Sequence, residues 1–221
     1  MTSSATARRE RTRDITIGPV GLDGMLGLPE PSAGIVLFAH GSGSGRFSPR
    51  NNFVARALRE AGFATLLFDL LTEEEAQDRA NVFDIPLLAE RLSMATAWLT
   101  QDRDTAALPI GYFGASTGAA ATLVAAASGA WPIAAIVSRG GRPDLAGAAL
   151  QKVISPTLLI VGGDDAAVLE LNRAALAELR CEKHLAVVPG ATHLFEEPGT
   201  LETVVDLAGN WFASHLAKGA A

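Results

Sequence analysis

The stretch Gly114-Ala115-Ser116-Thr117-Gly118 is where covalent chemistry can start in this chain. Residues 109–113, Pro-Ile-Gly-Tyr-Phe, read as a short buried strand, and the Ala-rich residues 118–127 read as a helix. A serine at the tip of a sharp strand-to-helix turn holds its hydroxyl clear of the sheet. Gly114 and Gly118 leave room for backbone where a Cβ would clash. The positive end of the helix beside Ser116 favours negative charge, and the Thr117 amide is placed to donate to an oxyanion. The chemistry implied is nucleophilic attack on a carbonyl, which needs a base and an acid to orient that base.

Only four histidines compete for the role of base. His215 lies near the end of a C-terminal amphipathic helix, where a cation suits the helix terminus. His184 falls in the alternating segment 181–188 and reads as a half-exposed strand residue. His193 follows that strand through Pro189-Gly190-Ala191-Thr192, at the carboxyl end where open α/β sheets place their working residues. It is the expected base. The aliphatic strand 153–161 ends in Gly162-Gly163-Asp164-Asp165, so two adjacent carboxylates compete to orient it. Asp69, at the end of strand 64–68, precedes the serine and reads as structural.

Upstream, the buried strand Gly34–Ala39 runs into His40-Gly41-Ser42-Gly43-Ser44-Gly45, with a helix from about Asn51 to Ala61. Glycines between a strand and a helix suggest a dinucleotide fingerprint. That reading fails, because Arg46 stands where GxGxxG needs glycine and no acidic strand-end residue falls about twenty positions on.

From about Asp14 onward the chain resembles a small, lid-poor α/β-hydrolase of the dienelactone hydrolase-like group. The residues that carry this are Ala39-His40-Gly41-Ser42-Gly43, Gly114-Ala115-Ser116-Thr117-Gly118, Gly162-Gly163-Asp164-Asp165 and Ala191-Thr192-His193-Leu194-Phe195. The resemblance implies an α/β-hydrolase fold: a mostly parallel twisted sheet with an N-terminal antiparallel hairpin, helices on both faces and no large cap domain. It implies a triad in the order Ser116, Asp165, His193, with Asp165 preferred over Asp164 because Gly162–Val168 fits the GxxDxxV spacing of that fold. Asp164 would then cap the helix beginning near Ala166. It also implies an oxyanion hole from the amides of Ser42 and Thr117, with His40 orienting the loop. Dienelactone hydrolases carry a cysteine nucleophile, so the serine here favours ordinary ester hydrolysis over lactone chemistry. Arg139, in the Gly-rich loop 138–144, can bind a substrate carboxylate through its planar fork, as dienelactone hydrolases are thought to do with theirs, or pair with Asp144 or Asp164.

The elements that must position these residues are bounded by composition. The chain has 221 residues, is 48% hydrophobic and has a formal charge of -6. That suits one α/β domain over residues 14–221 behind a flexible, basic arm at 1–13, and gives no electrostatic footprint for nucleic acid. The single cysteine, Cys181, forms no internal disulfide, and no run approaches the ~20 apolar residues of a membrane helix. The expectation is a cytoplasmic enzyme acting on a small-molecule ester without metal or organic cofactor, with homodimerisation possible. A hairpin spans Asp14–Gly18 and Gly21–Leu28 around Pro19, a helix covers about Leu201–Leu216, and the charged segment Leu71–Arg79 reads as a solvated loop beside an open site. An acyltransferase, thioesterase or perhydrolase would use the same triad, a lactonase would need a cyclic or carboxylate-bearing substrate, and a non-catalytic receptor would only bind.

Overall fold

The computed structural model describes residues 9–216. Eight strands form one sheet: β1 (Arg9–Ile17), β2 (Leu22–Glu30), β3 (Ile35–Ala39), β4 (Ala64–Phe68), β5 (Ile110–Ala115), β6 (Ile133–Arg139), β7 (Thr157–Gly162) and β8 (Lys183–Val188). Their order is β1-β2-β4-β3-β5-β6-β7-β8. β2 runs antiparallel to β1 and β4, and every other pairing is parallel. This is the sheet the resemblance implies, hairpin included.

Among the described residues there are six α-helices: α1 (Pro49–Glu60), a short α2 (Arg79–Val82), α3 (Ile85–Gln101), α4 (Thr117–Ala127), α5 (Ala166–Glu178) and α6 (Thr200–Leu216). Side chains alternate along a strand, so successive β3 residues feed opposite layers. Val36 and Phe38 pack with Val54, Leu58, Val204 and Phe212 of α1 and α6. Leu37 packs in the other layer with Leu92 of α3 and Leu123 of α4. Strands β3, β4, β5 and β7 are buried along their whole length, which is why they read as unbroken apolar runs.

Helix starts follow local signals. Ser48 accepts the Asn51 N–H ahead of Pro49 in α1, and Asp84 accepts the Leu87 N–H ahead of Pro86 in α3. Helix α3 is not among the sequence expectations, although both signals stand at its start.

The first strand begins earlier than expected, at Arg9 rather than Asp14, so residues 9–13 of the expected arm are strand. Residues 1–8 of that arm lie outside the described residues. The discrepancy has a physical cause: residues 9–13 carry no apolar side chain to mark a strand, and they extend the β2 ladder from Arg9↔Glu30 to Arg13↔Leu26, while Ile15 and Ile17 supply the apolar contacts of β1. Arg11 pairs with Glu30 at 2.8 Å, and Arg13 pairs with Asp102 beyond α3.

One topological fact positions the site. From β3 the chain moves outward to β4, then crosses back to β5 on the other side of β3. The loops leaving β3 and β5 therefore emerge side by side, with Ala39 opposite Gly114 in register. A crevice at the carboxyl ends of the strands is the consequence.

Candidate active site

Ser116 sits at the turn between β5 and α4 with φ 51° and ψ -122°. A non-glycine residue in that region costs on the order of 1–3 kcal/mol and needs surroundings that enforce it. They are present. The Ser116 carbonyl accepts from Ala119 N–H at 3.1 Å and Arg142 N–H at 3.0 Å, and its own N–H donates to the Arg139 carbonyl at 3.4 Å. Gly118 supplies the space, because a Cβ there would lie 2.2 Å from the Ala39 carbonyl oxygen.

His193 Nδ1–H donates to Asp165 Oδ2 at 2.7 Å. Asp165 stands at the start of α5 and His193 in the loop between β8 and α6, so two separate crossovers must meet. Backbone bonds join them: Gly163 N–H to the Val188 carbonyl at 2.8 Å and Asp164 N–H to the Ala191 carbonyl at 3.0 Å. Gly162 permits this approach, since a Cβ there would lie 2.3 Å from the Ala191 oxygen. Asp164 is exposed, and Asp165 itself occupies the N-terminal flank of α5 without a side-chain capping bond. The expectation that Asp164 caps this helix is corrected: α5 begins at Ala166 as expected, so the flanking residue is Asp165, and its carboxylate is bonded to His193.

Ser116 and His193 are not hydrogen-bonded to each other. Both border the same turn, Ser116 through Arg139 and His193 through Gly140, whose Cβ position lies 2.9 Å from the His193 carbonyl oxygen.

The loop after β3 is fastened by His40. Its Nε2 accepts from Leu70 N–H at 3.0 Å, which places the proton on Nδ1, 3.0 Å from the Gly41 carbonyl. The neutral ring thus ties this loop to the end of β4. Burial lowers its pKa, opposed by the Gly41 bond and the nearby Asp69. Asp69 accepts from both the backbone and the guanidinium of Arg46, which also reaches Asp23 at 3.1 Å. Ser42 N–H, expected to face an oxyanion, donates to Thr117 Oγ1 at 3.1 Å.

A cavity of about 390 Å³ opens beside Gly41, Ser42 and Thr117, with Leu71, Val82 and Leu88 in its walls. Leu71, Thr72, Glu73 and Ala76 belong to the segment read as a solvated loop, and they form one side of it. The segment is ordered by a capping box that its Thr72-x-x-Glu75 spacing spells out. Thr72 N–H donates to Glu75 Oε2 at 3.0 Å and Glu75 N–H to Thr72 Oγ1 at 3.2 Å. The buried Arg91 of α3 then pairs with Glu75 at 2.7 Å.

Arg139 does not line this cavity. It is 6% exposed, donates to Asn51 Oδ1 at 3.2 Å and lies 5.8 Å from the centre of the Phe195 ring. Burial, reinforced by Arg50, pushes its pKa down to about 10. Neither Asp144 nor Asp164 is its partner; Arg142 takes Asp144 with two bonds of 2.8 Å. Asn51 was not anticipated, because nothing in a helix's first turn marks one polar residue for burial. Among the described residues no group of three or more His, Cys, Asp or Glu is arranged to hold a metal ion, and no helix is long and apolar enough to cross a membrane.

No family model matches the sequence. The crystal structure of a dienelactone hydrolase from Anabaena variabilis is 54% identical, with a TM-score of 0.89, covering 95% of this chain and 99% of that one. A lidless α/β serine hydrolase from Xanthomonas campestris shares the fold at 23% identity and a TM-score of 0.75, covering 92% of this chain and 94% of that one. Two Mycobacterium tuberculosis proteins named "Putative phosphoribosyl transferase" are 62% identical over 208 residues, covering 94% of this chain and 47% of theirs. The chain spans about half the length of these curated relatives.

Two outcomes are expected from this geometry. Ser116→Gly relieves a positive φ, and after the entropy glycine adds to the unfolded chain, stability rises by about 1 kcal/mol in urea unfolding. His40 binds a proton less readily folded than unfolded, so its contribution is complete above its ordinary pKa of 6.5 and declines as pH falls below it. Unfolding free energies measured between pH 7.5 and 5 should fall in wild type and fall less in His40→Gln, whose amide oxygen can still accept from Leu70. Equal slopes would remove His40 from that role.

Proposed function

The chain belongs to the dienelactone hydrolase family, with the α/β-hydrolase fold, and we propose that it is a serine hydrolase cleaving carboxylic esters of small, neutral molecules. The observation that carries this reading is the 2.7 Å bond between His193 and Asp165, beside the same Arg139–Gly140 turn that borders the strained Ser116. A bond from Nδ1 to a carboxylate leaves Nε2 as the basic nitrogen and stabilises the imidazolium formed when that nitrogen takes a proton.

In the proposed reaction, Ser116 Oγ attacks the ester carbonyl carbon as His193 Nε2 takes its proton. The Thr117 N–H at the start of α4 donates to the carbonyl oxygen as it becomes negative, a contribution of roughly 3 kcal/mol for one such donor. Collapse expels the alcohol, which receives the proton from His193 and leaves an acyl group on Ser116. Water activated by His193 then adds to the acyl carbon, and the acid departs with Ser116 restored. No step draws on a metal or organic cofactor.

The cavity supports a small substrate, and its charges support a neutral one. Arg46 in its wall is already held by Asp23 and Asp69, while Glu73 also lines the space. A carboxylate-bearing substrate would meet net negative charge there. Arg139 is the residue that would favour such a substrate, and reaching it would require displacing Asn51 or Phe195. The phosphoribosyl transferase name belongs to proteins of which this chain matches about half.

Wild type should hydrolyse p-nitrophenyl acetate and butyrate and be labelled by a fluorophosphonate probe. Ser116→Ala should do neither, and Asp165→Asn should lose about 10²–10⁴ in kcat by freeing the wrong imidazole tautomer. Silence of wild type in both assays would favour a binding protein over an enzyme, and esters formed from added alcohols would favour an acyltransferase. Arg139→Ala should lower turnover of neutral and anionic esters alike; a loss confined to anionic esters would instead assign the guanidinium to substrate carboxylates.

A further inference from the structure

Thr117 brings more to the crevice than a backbone amide. Its side chain is buried, and Oγ1 accepts the Ser42 N–H at 3.1 Å, so this hydroxyl stands between the two peptide groups assigned to the oxyanion. The Ser42 amide is therefore already engaged. A hydroxyl also has a proton to give. Among the described residues none accepts the Thr117 proton, and the residue opens onto the cavity shared with Gly41 and Ser42.

We propose that the Thr117 hydroxyl is itself an oxyanion donor, so that Ser42 N–H acts through Oγ1 instead of touching the substrate. Oγ1 is carried on the Cβ beside the residue's own amide, which lets N–H and O–H converge on one acceptor. The bond received from Ser42 polarises the O–H and strengthens it as a donor. As Ser116 Oγ adds to the carbonyl carbon, negative charge gathers on the substrate oxygen and the hydroxyl bond tightens; it relaxes when the intermediate collapses. The hydroxyl keeps its own proton throughout. An interaction that grows only with this charge raises kcat and leaves substrate binding nearly unchanged.

This inference rests on the ester-hydrolase reading, and Thr117→Val tests it because valine keeps the shape while removing the hydroxyl. Expected are a fall in kcat of about 10²-fold on p-nitrophenyl butyrate, the lower range for one oxyanion donor, and a KM within about twofold of wild type. Thr117→Ser should retain kcat within a few fold. Affinity for a trifluoromethyl ketone, which forms an oxyanion on Ser116, should fall in Thr117→Val by the same factor as kcat/KM. If Thr117→Val keeps its kcat while wild type turns over and labels normally, the hydroxyl is not a donor and only this assignment falls. It falls equally if serine loses as much as valine, because packing of the methyl would then explain the loss. A wild type without turnover overturns the hydrolase reading itself, and this assignment with it.

Discussion

The contact between the first turn of α4 and the end of β3 governs the site. Gly118 brings its backbone against the carbonyls of Ala39 and His40, and without that approach Ser116 would not be driven to a positive φ beside the loop after β3. The strain is local, whereas the forces that hold it are distributed. Hydrogen bonds reach the Ser116 peptide from α4 and from the turn after β6, and the parallel pairing of β3 with β5 fixes the two loops in register. A motif of five residues acquires its chemistry from a sheet in which three strands cooperate.

A second close approach, at Gly162 and Ala191, does for Asp165 and His193 what Gly118 does for Ser116. Backbone bonds zip the loops after β7 and β8 together, so the His193–Asp165 geometry is set by main chain more than by either side chain. Thr117 is the point where the Ser116 turn and the loop after β3 exchange a hydrogen bond. Its hydroxyl couples the positions of two amides that come from segments 75 residues apart.

Charge is used in two ways around this centre. Arg46 and Arg91 are matched by carboxylates and serve as fasteners, one for the loop after β3 and one for the wall built on Glu75. Arg139 is different: a buried guanidinium given a neutral amide oxygen and an aromatic ring, with no carboxylate in contact among the described residues. Burying a cation without a counter-charge is costly. Here it holds Asn51 of α1 and Phe195 of the His193 loop against the end of β6, bracing the crevice from behind.

The amino-acid chain alone dictated which strands would be buried, since β3, β4, β5 and β7 are apolar runs that fit only a sheet covered on both faces. It also determined the strand-to-helix setting of Ser116 and the placing of Asp165 and His193 after successive strands, because these depend on local turns and on periodicity. The charged strand from Arg9 escaped it, as its partners Glu30 and Asp102 lie far along the chain. For the same reason the anchor of the segment after Leu71 is not legible in the chain: Glu73, Glu74 and residues 76–79 are exposed as expected, while Arg91 holds the segment through Glu75. Tertiary structure alone decided that Ser42 N–H meets a hydroxyl, that Arg139 faces Asn51, and that Asp165 lies within hydrogen-bond reach of His193. Such contacts form between residues distant in sequence, and small differences in backbone approach decide them; no pattern along the chain encodes that distance.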